Sequence, residues 1–264
     1  MRVVILAAGF GTRLEKDLQN DTSGAYVHLL GVPKPLLPIG DKPLITHWIQ
    51  MLKNVPDIAS IVIVVNELHR DLYVEWAKTL PLEVVIVSSG ARANEERPGA
   101  VACMEIGVQE KSVDTFFVAG DTLLMQDFNI QAMIIRFKSL QREHEGACLI
   151  VSAPVAEENV SKHGIIEVSE SGRVTGFIEK PLPTETKSRL QCPCIYMISG
   201  TSLHHLKNFL VEKKDEPLQS RDATGLFIAE LIHVAPVYGY QVKGRFDVGG
   251  LESYIQCHES FEKN

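Results

Sequence analysis

The chain begins with a short apolar strand that runs directly into a glycine-rich turn. Residues 2–7 (Arg-Val-Val-Ile-Leu-Ala) are almost wholly apolar and β-branched, which is typical of a buried parallel strand. Gly9 and Gly11 then permit backbone conformations closed to other residues and let N–H groups approach a phosphate closely. Arg13 follows as a permanently charged donor that suits phosphate oxygens. Together these features predict a binding site for a nucleoside triphosphate.

Two familiar phosphate-binding motifs do not fit this turn. The dinucleotide fingerprint needs a third glycine where Leu14 stands, and a Walker A loop needs a Gly-Lys-Ser/Thr sequence that does not follow. A second basic stretch comes after a spacer: residues 32–39 read Val-Pro-Lys-Pro-Leu-Leu-Pro-Ile, and residues 40–44 read Gly-Asp-Lys-Pro-Leu. The turn and this stretch therefore belong to a different kind of nucleotide site.

The two stretches resemble the signature of the sugar-1-phosphate nucleotidylyltransferases, or NDP-sugar pyrophosphorylases. That signature reads L-A-[AG]-G-x-G-T-R-L, a spacer and K-P-L-x-P-[IV]-x-x-K-P-[LM], and every fixed position is present between Leu6 and Leu44. The resemblance implies transfer of a nucleotidyl group from an NTP to a sugar 1-phosphate, with release of pyrophosphate. It assigns catalysis to Arg13 and Lys34, and nucleotide binding to Leu6, Ala8, Gly9, Gly11 and Thr12.

Apolar strands alternate with amphipathic helices along the first third of the chain. Strands are predicted at 2–7, 58–65 and 82–87, with helices from Pro43 to Leu52 and over 68–79. This order predicts an α/β fold, a Rossmann-like three-layer α/β/α sandwich around a mainly parallel, mixed sheet. The resemblance implies the nucleotide-diphospho-sugar transferase type of that fold. The polar spacer from Glu15 to Val32 reads as a loop, either a lid over the nucleotide or a surface insertion.

Chain length and composition favour one domain. With 264 residues, of which 45% are hydrophobic, the chain can bury a large core, and no linker or low-complexity run divides it. We expect a single domain over 1–264, with a nucleotide-binding part at about 1–128 and a sugar-binding part at about 129–250. Many relatives continue into a β-helix of hexapeptide repeats, which is not expected here.

The net charge and the cysteine content limit which binding partners and which cellular compartment are expected. A net charge of −7 argues against nucleic-acid binding. The apolar start is too short for a signal peptide, and no run of about eighteen apolar residues predicts a membrane span. Five cysteines, an odd number, favour a reducing cytoplasm over a disulfide framework. Cys192 and Cys194 are expected on one face of a strand over 191–198, and their C-x-C spacing disfavours zinc.

An aspartate follows the apolar strand at 115–119. A carboxylate at the carboxyl end of a strand, beside a phosphate-binding loop, is a suitable ligand for Mg²⁺, which binds one or two carboxylates plus substrate phosphates. Asp121 is therefore predicted to hold the metal, and the resemblance assigns it the same role. The resemblance adds Asp247, in Phe-Asp-Val-Gly at 246–249, as a second ligand of the same Mg²⁺.

The resemblance also places the base and sugar contacts. Asn94 stands at the offset from Gly99 at which the family reads the base, although an ordinary solvated turn has the same composition. Alternating polarity on either side of Ser-Glu-Ser-Gly at 169–172 predicts a hairpin. In the family this hairpin holds the sugar, which assigns sugar binding to Gly164, Glu179 and Lys180. Lys180 is also counted as catalytic, because it would bind the sugar phosphate.

The exact substrates stay open. The resemblance ranks dTTP or UTP with glucose 1-phosphate first, and leaves GTP with mannose 1-phosphate or a non-sugar phosphate acceptor as alternatives. His163 stands where relatives often carry an aromatic residue, so the sugar preference is undecided. A non-catalytic sugar-nucleotide sensor is the other alternative, but such a sensor should lose the key charged residues that this chain retains. Homo-oligomers are usual in the family.

Overall fold

The computed structural model describes residues 1–109, 112–125 and 128–262. Within these residues the strands are β1 (Arg2–Ala7), β2 (Pro38–Ile39), β3 (Lys42–Pro43), β4 (Ser60–Val65), β5 (Val85–Ser88), β6 (Thr115–Ala119), β7 (Thr122–Leu124), β8 (Cys148–Pro154), β9 (Gly164–Val168), β10 (Val174–Glu179), β11 (Leu190–Gln191), β12 (Ile195–Ile198), β13 (Val237–Gln241) and β14 (Arg245–Asp247). The helices are α1 (Thr12–Asn20), α2 (Leu44–Leu52), α3 (Arg70–Ala77), α4 (Ala100–Val108), α5 (Ile130–Glu143), α6 (His204–Glu212), α7 (Gln219–Asp222), α8 (Thr224–Val234) and α9 (Leu251–Glu262).

One large mixed sheet runs through the described part of the chain. Its strand order is β10-β9-β11-β8-β12-β6-β1-β4-β5, and β13 also pairs with β8. The strands β6, β1, β4 and β5 are mutually parallel, whereas β12 runs antiparallel between β6 and β8. The sheet therefore continues from the predicted nucleotide-binding part into the predicted sugar-binding part.

Helices cover both faces of this sheet. Successive side chains of a strand point to opposite faces, so neighbours in β1 enter different cores. Ile5 packs in one core with Trp48 of α2 and Phe137 of α5. Val4 packs in the other core with Met104 of α4. The predicted three-layer α/β/α sandwich with a mainly parallel, mixed sheet is confirmed.

The predicted loop over residues 15–32 is wrong in its first part, where α1 extends to Asn20. Leu14 and Leu18 lie one helical turn apart on the buried face of α1. These two side chains are the only apolar ones in the helix, so the helical period was hard to see among polar neighbours. After the helix, Val27–Leu29 forms a single 3-10 turn.

The strand predicted over 191–198 is also wrong, because it is interrupted. β11 ends at Gln191 and β12 begins at Ile195, so Cys192-Pro193-Cys194 is a link between two strands. Pro193 has no N–H to donate to a ladder, which favours a break there. The two strands also have different partners: β11 pairs with β8 and β9, and β12 pairs with β6 and β8.

Other boundaries differ by a few residues. Pro43 ends β3 and immediately precedes α2, rather than being the first residue of that helix. The sequence also predicts a C-terminal helix from Leu251 to about Lys263; α9 begins at Leu251, and Lys263 lies outside the described residues. All five cysteines are free thiols. Among the described residues, no helix is both long enough and apolar enough to span a bilayer.

Candidate active site

The carboxyl ends of β1 and β6 open into a cleft with a volume of about 1380 Å³. Ligands of open α/β sheets bind at this edge. Every residue that the sequence singled out for the site lines this cleft: Leu6, Ala8, Gly9, Gly11, Thr12, Arg13, Lys34, Asn94, Gly99, Asp121, Gly164, Glu179, Lys180 and Asp247. The fold therefore gathers widely separated stretches of the chain at one place.

The glycine turn between β1 and α1 is held from behind by Asn66. This buried side chain follows β4 and donates from Nδ2 to the carbonyl oxygens of Ala8 (3.2 Å) and Gly9 (3.4 Å). Gly11 adopts a left-handed conformation, with φ of 64°, and caps the start of α1. The first N–H groups of α1 and its helix dipole favour an anion at this turn. Asn66 was not predicted, although a polar residue directly after a buried strand was the available signal.

Lys34 links the phosphate side of the cleft to the acidic residues. It lies in a 3-10 turn, Lys34–Leu36, and its Nζ donates to the carbonyl oxygen of Gly249 at 2.9 Å. The same Nζ lies 3.9 Å from Oδ2 of Asp121. An ammonium group in this position can bind a phosphate oxygen as a point charge.

Asp121 and Asp247 are brought together by a small two-stranded sheet. β7 and β14 pair antiparallel, so that Asp247 lies opposite Thr122, and the N–H of Val248 donates to the carbonyl oxygen of Asp121 at 2.9 Å. Burial and then the charge of Asp247 raise the pKa of the Asp121 carboxyl. A buried carboxyl beside a second carboxylate has the chemistry of a ligand for a divalent cation.

This pair of carboxylates fits a cation that is shared with substrate. Among the described residues, no group of three or more His, Cys, Asp or Glu side chains could hold a metal. A hard cation that is held jointly by protein and phosphate oxygens needs only one or two carboxylates from the protein.

The sugar side of the cleft is built by the hairpin β9–β10 and the start of α8. Glu179 lies opposite Gly164 in the hairpin. A Cβ atom added at Gly225 would lie 2.2 Å from Oε2 of Glu179, and one added at Gly164 would lie 3.0 Å from it. Both glycines therefore leave the space that this carboxylate occupies. Burial raises the pKa of Glu179, whereas the charge of Lys180 lowers it.

Arg245 joins the acidic strand to the hairpin and was missed by the sequence reasoning. Its Nη1 pairs with Oδ2 of Asp247 at 2.9 Å, Nε donates to Oε1 of Gln191 at 3.0 Å, and Nη2 contacts Nδ1 of His163 at 3.1 Å. The Arg245 side chain is only 7% exposed. Its place directly before the Phe-Asp-Val-Gly motif was the only signal in the sequence.

A second set of missed residues connects the base side to the sugar side. Arg97 donates from Nη1 to the carbonyl oxygen of Asn94 at 3.0 Å and from Nη2 to Oδ2 of Asp222 at 3.1 Å. Gly99 has φ of +97°, and a Cβ atom there would lie 3.1 Å from the carbonyl oxygen of Arg221. Asp222 to Gly225, which the sequence did not single out, also line the cleft.

The two cysteines of the strand link also line the cleft. Burial raises the pKa of the Cys194 thiol to about 12, and burial also raises the pKa of Cys192. Both thiols are therefore protonated at neutral pH, whereas nucleophilic and metal-binding cysteines are thiolates. The chemistry of the cleft lies in its cations and carboxylates.

A sequence model of one protein family, described as nucleotidyl transferase, matches residues 2–264. Mannose-1-phosphate guanylyltransferase 1 of Arabidopsis thaliana is 30% identical over 184 residues, which cover 69% of this chain and 45% of that protein. UTP–glucose-1-phosphate uridylyltransferase of Haemophilus ducreyi is 26% identical over 293 residues, which cover 97% of this chain and 91% of that protein. The chain spans about half the length of several curated relatives that it matches.

A solved structure shares the architecture. The crystal structure of a UDP-glucose pyrophosphorylase complexed with UDP-glucose superposes with a TM-score of 0.75 and 19% identity. The superposition covers 99% of this chain and 98% of that one. The shared fold thus extends over the whole length of both chains.

Proposed function

The chain belongs to the nucleotidyl transferase family, and we propose that it transfers a nucleotidyl group from an NTP to a sugar 1-phosphate, releasing pyrophosphate. The main support is the way one cleft brings the phosphate loop and its cations against the Glu179–Lys180 hairpin, with Asp121 and Asp247 close by. A donor nucleotide and an anionic acceptor can lie side by side in such a cleft.

The reaction depends more on neutralising the negative charge of the phosphates than on acid–base catalysis. A sugar 1-phosphate is already an anion near neutral pH, so its oxygen attacks without a general base. The new bond joins this oxygen to the α-phosphorus of the NTP, and the bond from that phosphorus to the bridging oxygen of pyrophosphate breaks in line. Arg13 and Lys34 stabilise the triphosphate and the leaving pyrophosphate, and Lys180 positions the acceptor phosphate.

Mg²⁺ is the proposed cofactor, held by Asp121 and Asp247. When bound, it would neutralise phosphate charge as a Lewis acid. The support from this chain is that the β7–β14 pair brings the two aspartates together in the cleft, and that burial and the charge of Asp247 raise the pKa of Asp121. Oxygen ligands of this kind suit Mg²⁺.

For the substrates, we propose UTP or dTTP with glucose 1-phosphate. The relative from Haemophilus ducreyi, named for UTP and glucose 1-phosphate, matches 97% of this chain. GTP with mannose 1-phosphate is the second candidate, supported by the 30% identity to the Arabidopsis guanylyltransferase. A non-sugar acceptor and a non-catalytic sensor are the remaining alternatives, and the sensor is disfavoured because Arg13, Lys34, Asp121 and Asp247 are all present in the cleft.

Asn94 and Gly99 are the proposed base contacts, and Leu6, Ala8, Gly9, Gly11 and Thr12 the proposed contacts of the rest of the nucleotide. Gly164, Glu179 and Lys180 are proposed to hold the sugar phosphate. We also propose that the chain acts as a single domain in the cytoplasm, without nucleic-acid or membrane partners, and as a homo-oligomer. The five free thiols support a reducing compartment.

The decisive experiment is pyrophosphate release with Mg²⁺, in which ATP, CTP, GTP, UTP and dTTP are each combined with glucose, galactose, mannose and N-acetylglucosamine 1-phosphates. We expect one pair, UTP or dTTP with glucose 1-phosphate, to exceed the others clearly. Preference for GTP with mannose 1-phosphate would select the second candidate. No release from any pair, although the folded protein binds nucleotide, would favour a non-sugar acceptor or the sensor.

A further inference from the structure

Arg245 is fixed in place by three separate segments of the chain. Its guanidinium group contacts Asp247 on its own strand, Gln191 at the end of β11 and His163 just before β9. These three contacts, from Nη1, Nε and Nη2, lie between 2.9 and 3.1 Å. A nearly buried guanidinium with contacts in three directions has little freedom to rotate, so its Nη2 presents a donor in a fixed direction.

The contact with Arg245 determines where His163 carries its proton. A guanidinium group has only N–H donors and no acceptor, and it stays protonated in proteins. Nδ1 of His163, 3.1 Å from Nη2, must therefore accept this hydrogen bond. The imidazole is then neutral, and its proton is on Nε2.

The imidazole lies at the sugar side of the cleft. His163 directly precedes Gly164, its carbonyl oxygen accepts the N–H of Lys180 at 3.1 Å, and its side chain lines the cleft. Burial, followed by the charges of Arg245, Lys162 and Lys180, lowers the pKa of the ring against the opposing charge of Asp247, in the direction that favours the neutral imidazole. Within the described part of the chain, the imidazole ring forms its hydrogen bond through Nδ1, with Arg245 as the partner.

We propose that His163 is a substrate-binding residue that donates a hydrogen bond from Nε2 to a phosphate oxygen of the sugar 1-phosphate, and that Arg245 positions it. This proposal rests on the proposed function of the cleft. An oxygen anion is an acceptor that suits this donor, because the charges of Arg245, Lys162 and Lys180 all act on the ring and outnumber the one opposing charge, that of Asp247. An aromatic hydrocarbon side chain at the same position would fill the space without supplying the donor.

The tautomer can be measured without substrate, by ¹⁵N NMR of the full chain with labelled histidine. The signal of His163 is assigned as the one that is absent from the spectrum of the His163→Phe variant. We expect the wild-type ring to show the Nε2–H tautomer, and Arg245→Met to shift it toward the mixture seen in free imidazole. A wild-type ring with its proton on Nδ1, or a signal that Arg245→Met does not change, would overturn the positioning role.

The donor role is tested by steady-state kinetics with glucose 1-phosphate and mannose 1-phosphate. His163→Phe should raise the KM for the sugar phosphate by about five- to tenfold, the range of one hydrogen bond, with the KM for the NTP unchanged. His163→Gln should recover part of the loss, because its amide N–H can replace Nε2–H. His233→Phe, which changes an exposed histidine of α8 outside the cleft, is the matched control. An unchanged KM in His163→Phe would refute the proposal.

Failure of the proposed function would be recognised separately. If the wild-type chain releases no pyrophosphate from any pair, glucose 1-phosphate is titrated into the labelled protein instead. A change in the Nε2 signal of His163 would then support the donor role by itself. No change at saturating glucose 1-phosphate, in a chain that shows the Nε2–H tautomer, would overturn it.

Discussion

The cationic side chains of the cleft differ in how many of their N–H donors already form hydrogen bonds or ion pairs within the folded chain. Lys34 is bonded to the carbonyl oxygen of Gly249 and lies near Asp121, and Arg245 contacts three acceptors. Arg13 is exposed at the start of α1, next to the glycine turn. Its guanidinium can therefore reach a bound triphosphate with less disturbance of the fold than Lys34 or Arg245.

Arg13→Ala should lower kcat/KM for pyrophosphate release by about 10²–10³, a loss of about 2.7–4 kcal/mol, as when one donor to a developing anion is removed. Thermal unfolding should stay the same, because the side chain is exposed. Arg136→Ala, at an exposed position of α5 outside the cleft, is the matched control. Unchanged kcat and KM in Arg13→Ala would remove this residue from the mechanism.

Asp121 carries a stability effect that follows from its pKa. Burial and the charge of Asp247 raise that pKa above the usual value. A carboxyl whose pKa is raised by folding binds its proton more tightly in the folded state, so ionisation lowers stability as pH rises from the unfolded pKa to the folded one. At a pH above the unfolded pKa, and without a metal, Asp121 therefore destabilises the fold.

Asp121→Asn should consequently raise the Tm of the metal-free protein at pH 7 while abolishing the response of activity to Mg²⁺. Thermal unfolding in EDTA measures the first effect. Asp71→Asn, at a carboxylate that is 97% exposed, should leave the Tm unchanged. A lower Tm in Asp121→Asn would mean that the contact with Lys34 outweighs burial and repulsion.

At the scale of elements, the sugar side depends on close packing between the hairpin and α8. Phe177 and Glu179 of β10 fill the space above two glycines, one in β9 and one in α8. The hairpin cannot approach the helix this closely if either glycine carries a side chain. The position of the Glu179 carboxylate is thus decided by helix–hairpin packing.

Gly225→Ala should displace Glu179 and raise the KM for the sugar phosphate more than the KM for the NTP. It should also cost about 1–3 kcal/mol of unfolding free energy through overpacking, which chemical denaturation measures. Gly176→Ala on the same hairpin is the control, because its Cβ would meet the Glu167 side chain at 3.3 Å and not Glu179. If Gly225→Ala and Gly176→Ala had the same KM for the sugar phosphate, the packing at Gly225 would not control sugar binding.

At the scale of the whole molecule, the net charge of −7 lies outside the cleft. The cleft itself is balanced between its cations (Arg13, Lys34, Arg97, Lys162, Lys180 and Arg245) and its carboxylates (Asp17, Asp121, Glu179, Asp222, Asp247 and Glu252). A polyanionic triphosphate gains no net attraction from such a cleft or from the acidic exterior. From this charge balance we expect nucleotide binding to depend on a divalent cation.

Removal of divalent metal should weaken UTP binding by at least about tenfold, or 1.4 kcal/mol, as measured by calorimetry in EDTA and in Mg²⁺. The affinity should return when Mg²⁺ is added back in excess of the chelator. A parallel titration with uridine, which lacks phosphates, should show no response to Mg²⁺. Metal-independent UTP binding would contradict this account of the cleft.

The sequence by itself determined the features that depend on contiguous residues. A strand, two glycines and Arg13 lie within a dozen positions, so their joint meaning is local, and the basic stretch around Lys34 completes a recognisable signature. The alternation of apolar strands with helices likewise predicted the three-layer architecture, because burial imposes the period of each element. The sequence did not predict the α1 helix over the polar stretch after Arg13, because the two apolar residues Leu14 and Leu18 are too few to reveal a helical period.

Tertiary structure alone decided which distant side chains meet. Arg245 contacts His163 and Gln191, which are 82 and 54 positions away, and Lys34 bonds to a carbonyl 215 positions away. No local pattern encodes such contacts, because they arise when strands from different parts of the chain become neighbours in one sheet. The sequence named residues within its recognisable motifs, whereas the packing of the sheet and its helices added Arg245, Arg97 and Asp222 to the cleft and set the direction in which each side chain points.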